Sequence, residues 1–406
     1  MLLQSERNSA WSSIAGHIIV TLSVGAMNIW SVFQLPVCDF FGWDYGSVVL
    51  VTSFFMFAFV TGSFLHGLLS YRFHPRIISL LGAALFSGGL LLSSVLQRSA
   101  DIWTLYAAYG ILVGLGSGLV NNNSIFELVN WLPTRKGLAA GISGTCYYVS
   151  GILLSVYIQY LLPRHPLPRV FRTVGLVTFA VMAVGCLLIC RPSKAYLSRF
   201  DRPQTALYGT PLPQAVRDIR FWLIALFILL SSALWNILVP IIKPLGLARG
   251  LSESMAGLTV SLGCIVGSIG KLGFGLLSDR IGRNAVLVIT TLANIVGAVL
   301  LIFATGSLYS IGVWLPSIAF ASAGCVIPLL ACDNFGPRYA GAIYGLAFYG
   351  GAISSVLFNR IATAINADGA VTGNYTASFL MCIVINLAAL AIIALLRYFQ
   401  TKRAPS

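Results

Sequence analysis

The sequence predicts an all-α membrane protein of twelve transmembrane helices in two pseudo-symmetric six-helix bundles. Three observations predict it. The 406 residues are 58% hydrophobic and 9% charged. A soluble domain carries about 25% charged residues, so this chain has too little polar cover for a water-exposed surface and too little charge for disorder. Apolar runs of about 20 residues, the length that crosses a bilayer, succeed one another along the chain. A polar, Arg-rich, Pro-containing break at 191–218 divides those runs six and six.

Taken in order, an N-terminal bundle at 1–190 holds spans near 11–33, 46–69, 76–96, 102–126, 137–161 and 171–190. A central loop follows at 191–218. The C-terminal bundle at 219–406 holds spans near 219–242, 254–277, 284–305, 308–330, 339–362 and 375–396. Span 1 carries His17, Asn28, Trp30 and Gln34. Span 2 carries His66. Span 4 carries Asn121-Asn122-Asn123-Ser124, four polar side chains in a row that cannot all face lipid. Tyr147 and Tyr148 lie in span 5, Trp235 and Asn236 in span 7, Tyr344 and Tyr349 in span 11. Each alone fits ordinary interhelical packing; together they suit a narrow pathway lined by amide, hydroxyl and aromatic groups. The 40 glycines fit helices packed closely in a membrane.

The net charge is +14. In a soluble chain this would suggest nucleic acid, but here the cations sit in short loops, where they set topology. With the N-terminus inside, seventeen of the 25 Lys and Arg fall on the cytoplasmic side and seven outside. Both termini and the central loop are therefore expected in the cytoplasm, in a plasma membrane or bacterial inner membrane. No nucleic-acid partner is expected. The first apolar run is as long as a full span and lacks a small-residue cleavage site, so no cleavable leader is expected. Most of the eight cysteines lie inside apolar runs, and none has zinc or redox spacing. No nucleotide-binding loop, metal cluster or nucleophile–base pair appears. The expectation is a monomeric protein with no cofactor and no metal that is neither an enzyme nor a primary pump.

The halves look duplicated. Gly67-Leu68-Leu69-Ser70 closes span 2 and Gly275-Leu276-Leu277-Ser278 closes span 8. Trp131-Leu132-Pro133 with Gly137 and Gly141 matches Phe335-Gly336-Pro337 with Gly341 and Gly345. Two six-span halves form a transporter architecture, with substrate expected near the bilayer midplane.

The segment Gly275-Leu276-Leu277-Ser278-Asp279-Arg280-Ile281-Gly282-Arg283 resembles the cytoplasmic G-x-L-x-D-R-x-G-R signature of the major facilitator superfamily. The resemblance implies the major facilitator fold. It also implies gating roles for Gly275, Asp279, Arg280, Gly282 and Arg283, and for Arg135 at the matching turn before span 5. In the first-half copy Tyr71 stands in place of the Asp and Pro75 in place of Arg283, so a gate relying on an acid is not expected there. Asn28-Ile29-Trp30-Ser31-Val32-Phe33 is similar to the Y-x-W-S-x-F segment of the oxalate/formate antiporter family, with Asn28 replacing the Tyr. The 131–141 turn also resembles that family and the monocarboxylate transporters, and Arg217-Asp218-Ile219-Arg220-Phe221-Trp222 resembles the start of span 7 in the antiporter family.

Lys271 is the cation that falls inside a span. It lies eight residues before Asp279, about 12 Å along a helix. A charge near mid-membrane costs about 2.5–3.5 kcal/mol, so it should face protein or water. Two readings stand: an anion-binding group in the pathway, or a Lys that snorkels to the headgroups. The resemblance implies the first, because those families place a carboxylate-binding basic residue, usually Arg, at this position. The second basic residue of oxalate transport, in span 11, aligns with Gly351 here, which implies a single anionic group rather than a dicarboxylate. Glu127 is a proton-coupling candidate, or a structural partner for Arg72 or Arg76; His17 and His66 are proton candidates or packing residues. The expected function is secondary transport of a small monocarboxylate such as lactate, pyruvate or formate, by proton symport or anion exchange. The competing expectations are a carrier for another solute or drug, and a membrane receptor that does not transport.

Overall fold

The computed structural model describes residues 2–96, 101–193, 196–197, 209–366 and 374–402, with side chains omitted at 2–8 and 26–28. Every regular element among these residues is helical. Eleven apolar helical stretches are long enough to cross a membrane, and a shorter one covers Ile29–Phe41. Contacts divide the chain into two compact units: Met1–Thr210 with Phe335–Leu346, and Pro211–Asn334 with Ala347–Ser406. Much of the central loop lies outside the described residues.

The first unit contains α1 (Leu2–Thr21), α2 (Ala26–Phe41), α3 (Tyr45–Val49), α4 (Val51–Leu69), α5 (Pro75–Ser94), α6 (Ile102–Leu105), a π-helical stretch Tyr106–Val113, α7 (Gly114–Trp131), α8 (Lys136–Leu161) and α9 (Leu167–Leu188). The second contains α10 (Leu212–Ala215), α11 (Ile219–Ser231), α12 (Ala233–Leu238), a 3-10 turn Val239–Ile241, α13 (Ile242–Ala248), α14 (Glu253–Ile281), α15 (Arg283–Phe303) and α16 (Ser307–Phe335). Span 11 is split into α17 (Ala340–Ala347) and α18 (Tyr349–Ile365), and α19 (Thr376–Thr401) closes the chain.

Side-chain caps start several of these helices. Asp44, Asp101, Asp218 and Ser252 accept bonds from backbone N–H groups of the first turn, satisfying donors a helix leaves open. Pro240 and Pro244 lie where span 7 breaks into short pieces, because proline removes a helical donor.

Span 1 departs from its expected 11–33 range. Its helix stops at Thr21, resumes at Ala26 and runs on to Phe41. The apolar pattern continues through the break, so hydropathy alone does not reveal it. Span 7 breaks at Ser232, between α11 and α12, the counterpart of Val24, inside the span-1 break, at the 208-residue offset of the matched tetrapeptides. The tetrapeptides agree in detail as well. The Ser70 hydroxyl donates to the Gly67 carbonyl (3.0 Å), and the Ser278 hydroxyl donates to the Gly275 carbonyl (2.7 Å).

In the first unit α7 packs against α4 and α5 at backbone distance. A Cβ added at Gly118 would stand 1.9 Å from the Phe59 carbonyl oxygen. Bare backbone at such positions is what lets membrane helices approach this closely. An aromatic cluster of Trp30, Phe33, Tyr109 and Phe171 fills the space beside it. The second unit has its own core of Leu234, Ile237, Leu245, Leu301, Tyr309, Val313, Phe358 and Phe379. Asn294 bonds Asn386 (3.2 Å) within it.

Cations bonded to carbonyls tie off one end of the first unit. Arg76 donates to the Leu187 (3.0 Å) and Ile189 (3.1 Å) carbonyls at the C-terminus of α9. Arg191 donates to the Ser70 and Phe73 carbonyls (3.2 and 3.1 Å). Burial first, and then the Arg191 and Arg76 charges, push the His74 imidazole below its ordinary pKa. A cation at a helix C-terminus stabilises by about 0.3–1 kcal/mol. Arg76→Gln should therefore lower the melting temperature of the purified protein by roughly 2 °C, read by intrinsic fluorescence.

Candidate functional site

The surroundings of Lys271 belong to a seam between α14 and α16 in the second unit. Thr259 and Ser310 share a hydrogen bond (2.7 Å), the Trp314 indole donates to the Thr259 carbonyl (3.0 Å), and the Ser317 hydroxyl donates to the Gly263 carbonyl (2.7 Å). Each link advances about one turn, so the two helices run together over this length. Lys271 continues the seam. Its Cε and Nζ lie 3.9 Å from where a Cβ on Gly324 would stand, so a small residue opposite leaves room for the ammonium. One turn from Gly324 on α16, Phe320 stacks on Trp235 of α12 (5.9 Å, 22°). Lys271 and Trp235 thus meet the same stretch of α16. Asn236, next to Trp235, donates to the Ser354 hydroxyl of α18 (3.2 Å). Tyr349 opens α18 and is half-buried. A cation beside an aromatic wall with amide and hydroxyl groups close by can hold a small carboxylate. Lys offers a point charge rather than the two-pronged fork of Arg.

The signature turn lies ten residues further along. Arg283 pairs with Asp279 (2.8 Å), donates to the Ser278 hydroxyl and reaches Asp333 of α16 (3.5 Å). Gly282 has φ +89°, a conformation that strains any residue with a side chain. Gly275 is buried and Arg280 exposed. Asp333 escapes the sequence reading because span 10 was expected to end near 330, whereas α16 runs to Phe335. The first-half copy lacks such a pair: Tyr71 packs edge-on to Tyr339 (5.0 Å). Burial first, and then the neighbouring Tyr339, raise its phenol pKa, so it brings no anion to this turn. Arg135 is exposed just before α8.

The remaining candidates lie in the first unit. Trp30 is 1% exposed, with the Tyr109 ring 4.4 Å away and tilted by 46° to it. Tyr147 is buried against Phe59 (5.9 Å) and Tyr148 is half-buried. Gln34 accepts from the Tyr45 hydroxyl (3.3 Å). The Asn28 side chain lies outside the described residues. Asn122 is fully buried and donates to the Ser63 carbonyl (2.6 Å) and the Gly341 carbonyl (3.4 Å). Tyr344 packs near Phe126 (6.4 Å). His17 bonds the Ser124 hydroxyl (3.3 Å), and His66 stacks on Phe126 (6.0 Å, 16°). Glu127 is 6% exposed, and neither Arg72 nor Arg76 comes within ion-pair distance of it. Phe320 and Gly324 left no chemical mark in the sequence; only their place on α16 identifies them.

An all-helical chain of this length, with successive membrane-crossing stretches and an internal repeat, is a polytopic integral membrane protein of the carrier type. The model of the Major Facilitator Superfamily matches residues 16–359, and the chain belongs to that superfamily, whose members are transporters. It is 22% identical over 405 residues to human monocarboxylate transporter 12, covering 92% of this chain and 77% of that protein. It is 24% identical over 335 residues to the oxalate:formate antiporter of Oxalobacter formigenes, covering 79% and 75%. The crystal structure of FucP in the outward conformation superposes with a TM-score of 0.71 at 15% identity, covering 95% of this chain and 98% of FucP. That likeness shows the fold.

Proposed function

We propose that this transporter carries a small monocarboxylate by alternating access, with Lys271 neutralising the carboxylate. The observation that carries the reading is Lys271 itself: a cation within a membrane span, set opposite Gly324 and one turn from the Trp235–Phe320 stack. Two of the relatives named above, a monocarboxylate transporter and an oxalate:formate antiporter, support the same substrate class. The chain acts as a monomer with both termini in the cytoplasm. Movement of a lone anion across a membrane potential works against about 2.3 kcal/mol per 100 mV. A symported proton or a counter-anion removes that penalty.

The test is uptake of labelled lactate, pyruvate, formate and fucose into proteoliposomes holding the full chain. Saturable uptake of one or more of the carboxylates, and none of fucose, is expected. A protein that moves fucose and ignores the carboxylates overturns the reading.

A further inference from the structure

The first unit encloses a second polar cluster that the carboxylate reading does not use. It is centred on α7, where Asn122, Asn123, Ser124 and Glu127 fall within two turns. His17 enters from α1 through its bond to Ser124. Asn123 donates to Ser79 (2.7 Å) and to the Pro75 carbonyl (3.0 Å) of α5, and lies beside His66 of α4. His66 Nδ1 stands 3.3 Å from a Cβ position on Gly341, whose carbonyl accepts from Asn122. His66 lies near enough for its charge to act on His17. All of these side chains except Glu127, at 6%, are at most 2% exposed.

Six polar atoms in this cluster make no well-formed hydrogen bond in the protein: His17 Nε2, both ring nitrogens of His66, which has the Asn123 amide beside it, Asn122 Oδ1, Asn123 Oδ1 and Glu127 Oε2. Buried polar groups in native proteins are nearly always bonded, so six together need an explanation. Packing does not supply one, because apolar residues would fill the same volume at no such cost. The six share a chemistry: each is a carbonyl or carboxyl oxygen or an imidazole nitrogen, the atom types that accept a proton or a proton-bearing water. Buried ionisable groups within membrane spans are typical of proton relays.

We propose that Glu127, His66 and His17 form one buried proton-binding site inside the first unit. An O–H bond of solvent hydronium breaks as its proton bonds to Glu127 Oε2 or to the basic nitrogen of an imidazole, leaving water; release reverses the step, and no oxidation state changes. The titratable and charged groups facing the site are His17 from α1, His66 from α4, the Tyr344 phenol from α17, and Arg191 after α9, whose field reaches Glu127. Arg135 and Lys136 stand at the start of α8, and the buried residues of its first turns, from Gly137 to Gly144, are Gly, Ala and Ser. Ser79 and the Pro75 carbonyl line the α5 side. The binding of a proton stands independently of the substrate; its role in coupling rests on the carrier reading above.

The test is infrared difference spectroscopy on the full chain reconstituted in lipid and stepped between acid and neutral pH. A buried carboxyl C=O band should titrate in the wild type. It should vanish in Glu127→Gln and persist, displaced, in Glu127→Asp. Its midpoint should shift by roughly one pH unit in His66→Gln. Uptake driven by an imposed pH gradient should be lost in Glu127→Gln. An unchanged band in Glu127→Gln, or an unmoved midpoint in His66→Gln, overturns the proposal. If the wild type carries no monocarboxylate, the substrate reading fails and the infrared result still decides the proton site.

Discussion

Lys271→Gln should sharply reduce saturable monocarboxylate uptake, while Lys271→Arg should keep it. Gln preserves the length and packing of the stem but removes the charge, and a hydrogen bond to a charged group contributes about 1.5–3 kcal/mol. Its loss corresponds to a drop of roughly ten- to a hundredfold in kcat/KM. Arg restores the charge with a bulkier head, and the glycine opposite leaves room for it. The measurement is initial uptake rate against substrate concentration in proteoliposomes, normalised to protein recovered in folded form. Uptake by Lys271→Gln equal to the wild type would falsify the assignment of Lys271 to the substrate. A Lys that merely snorkels to headgroups would give that result.

Gly118→Ala should destabilise the first unit more than any conservative change at its surface. The added Cβ would lie 1.9 Å from the Phe59 oxygen and 2.9 Å from the Ser63 nitrogen, both backbone atoms that cannot rotate away. α4 and α7 would have to part, stretching the 2.6 Å bond from Asn122 to the Ser63 carbonyl. Overpacking of this kind costs about 1–3 kcal/mol, and the upper end is expected where backbone must move. The melting temperature in detergent should fall by roughly 5 °C or more. Gly88→Ala on α5 is the control. Its Cβ meets nothing within 4 Å, and alanine is the better helix former, so the protein should melt at or slightly above the wild-type temperature. Equal melting of the two variants would refute the close α4–α7 contact.

Much of this fold is written in hydropathy. Eleven of the twelve apolar runs correspond to continuous or locally broken membrane-length helices, and the ends of span 2, span 3 and span 5 fall within two residues of expectation. Helix breaks are not written there. The pauses after Thr21 and at Phe348 sit inside apolar sequence, where backbone geometry changes and side-chain polarity does not. The wide turns at 106–113 are equally silent, although they rotate everything after them. They sit just ahead of the Asn122–Ser124 block, which is fully buried. The functional residues divide the same way. Lys271, Glu127 and the histidines stand out because ionisable groups are rare in membrane spans. Phe320 and Gly324 belong to an apolar, small-residue helix and become visible only when α16 is laid along α14. Asp333 hid because the apolar run of span 10 ends near 330, although the helix continues past it to Phe335.

The α4–α7 contact also has a mechanical meaning. Gly110, Gly114 and Gly118 hold the span-4 backbone against α4 over more than two turns, so the pair bends and twists as a single beam. α14 is built the other way. It is the least buried of the eleven stretches, and Gly257 and Gly273 face open space within 4 Å. Stiffness is therefore distributed unevenly along the chain. The first unit interlocks backbone against backbone, while the helix that carries Lys271 is held by its bonded seam with α16 and keeps open faces at Gly257 and Gly273, which leave it more room to yield than α7 has.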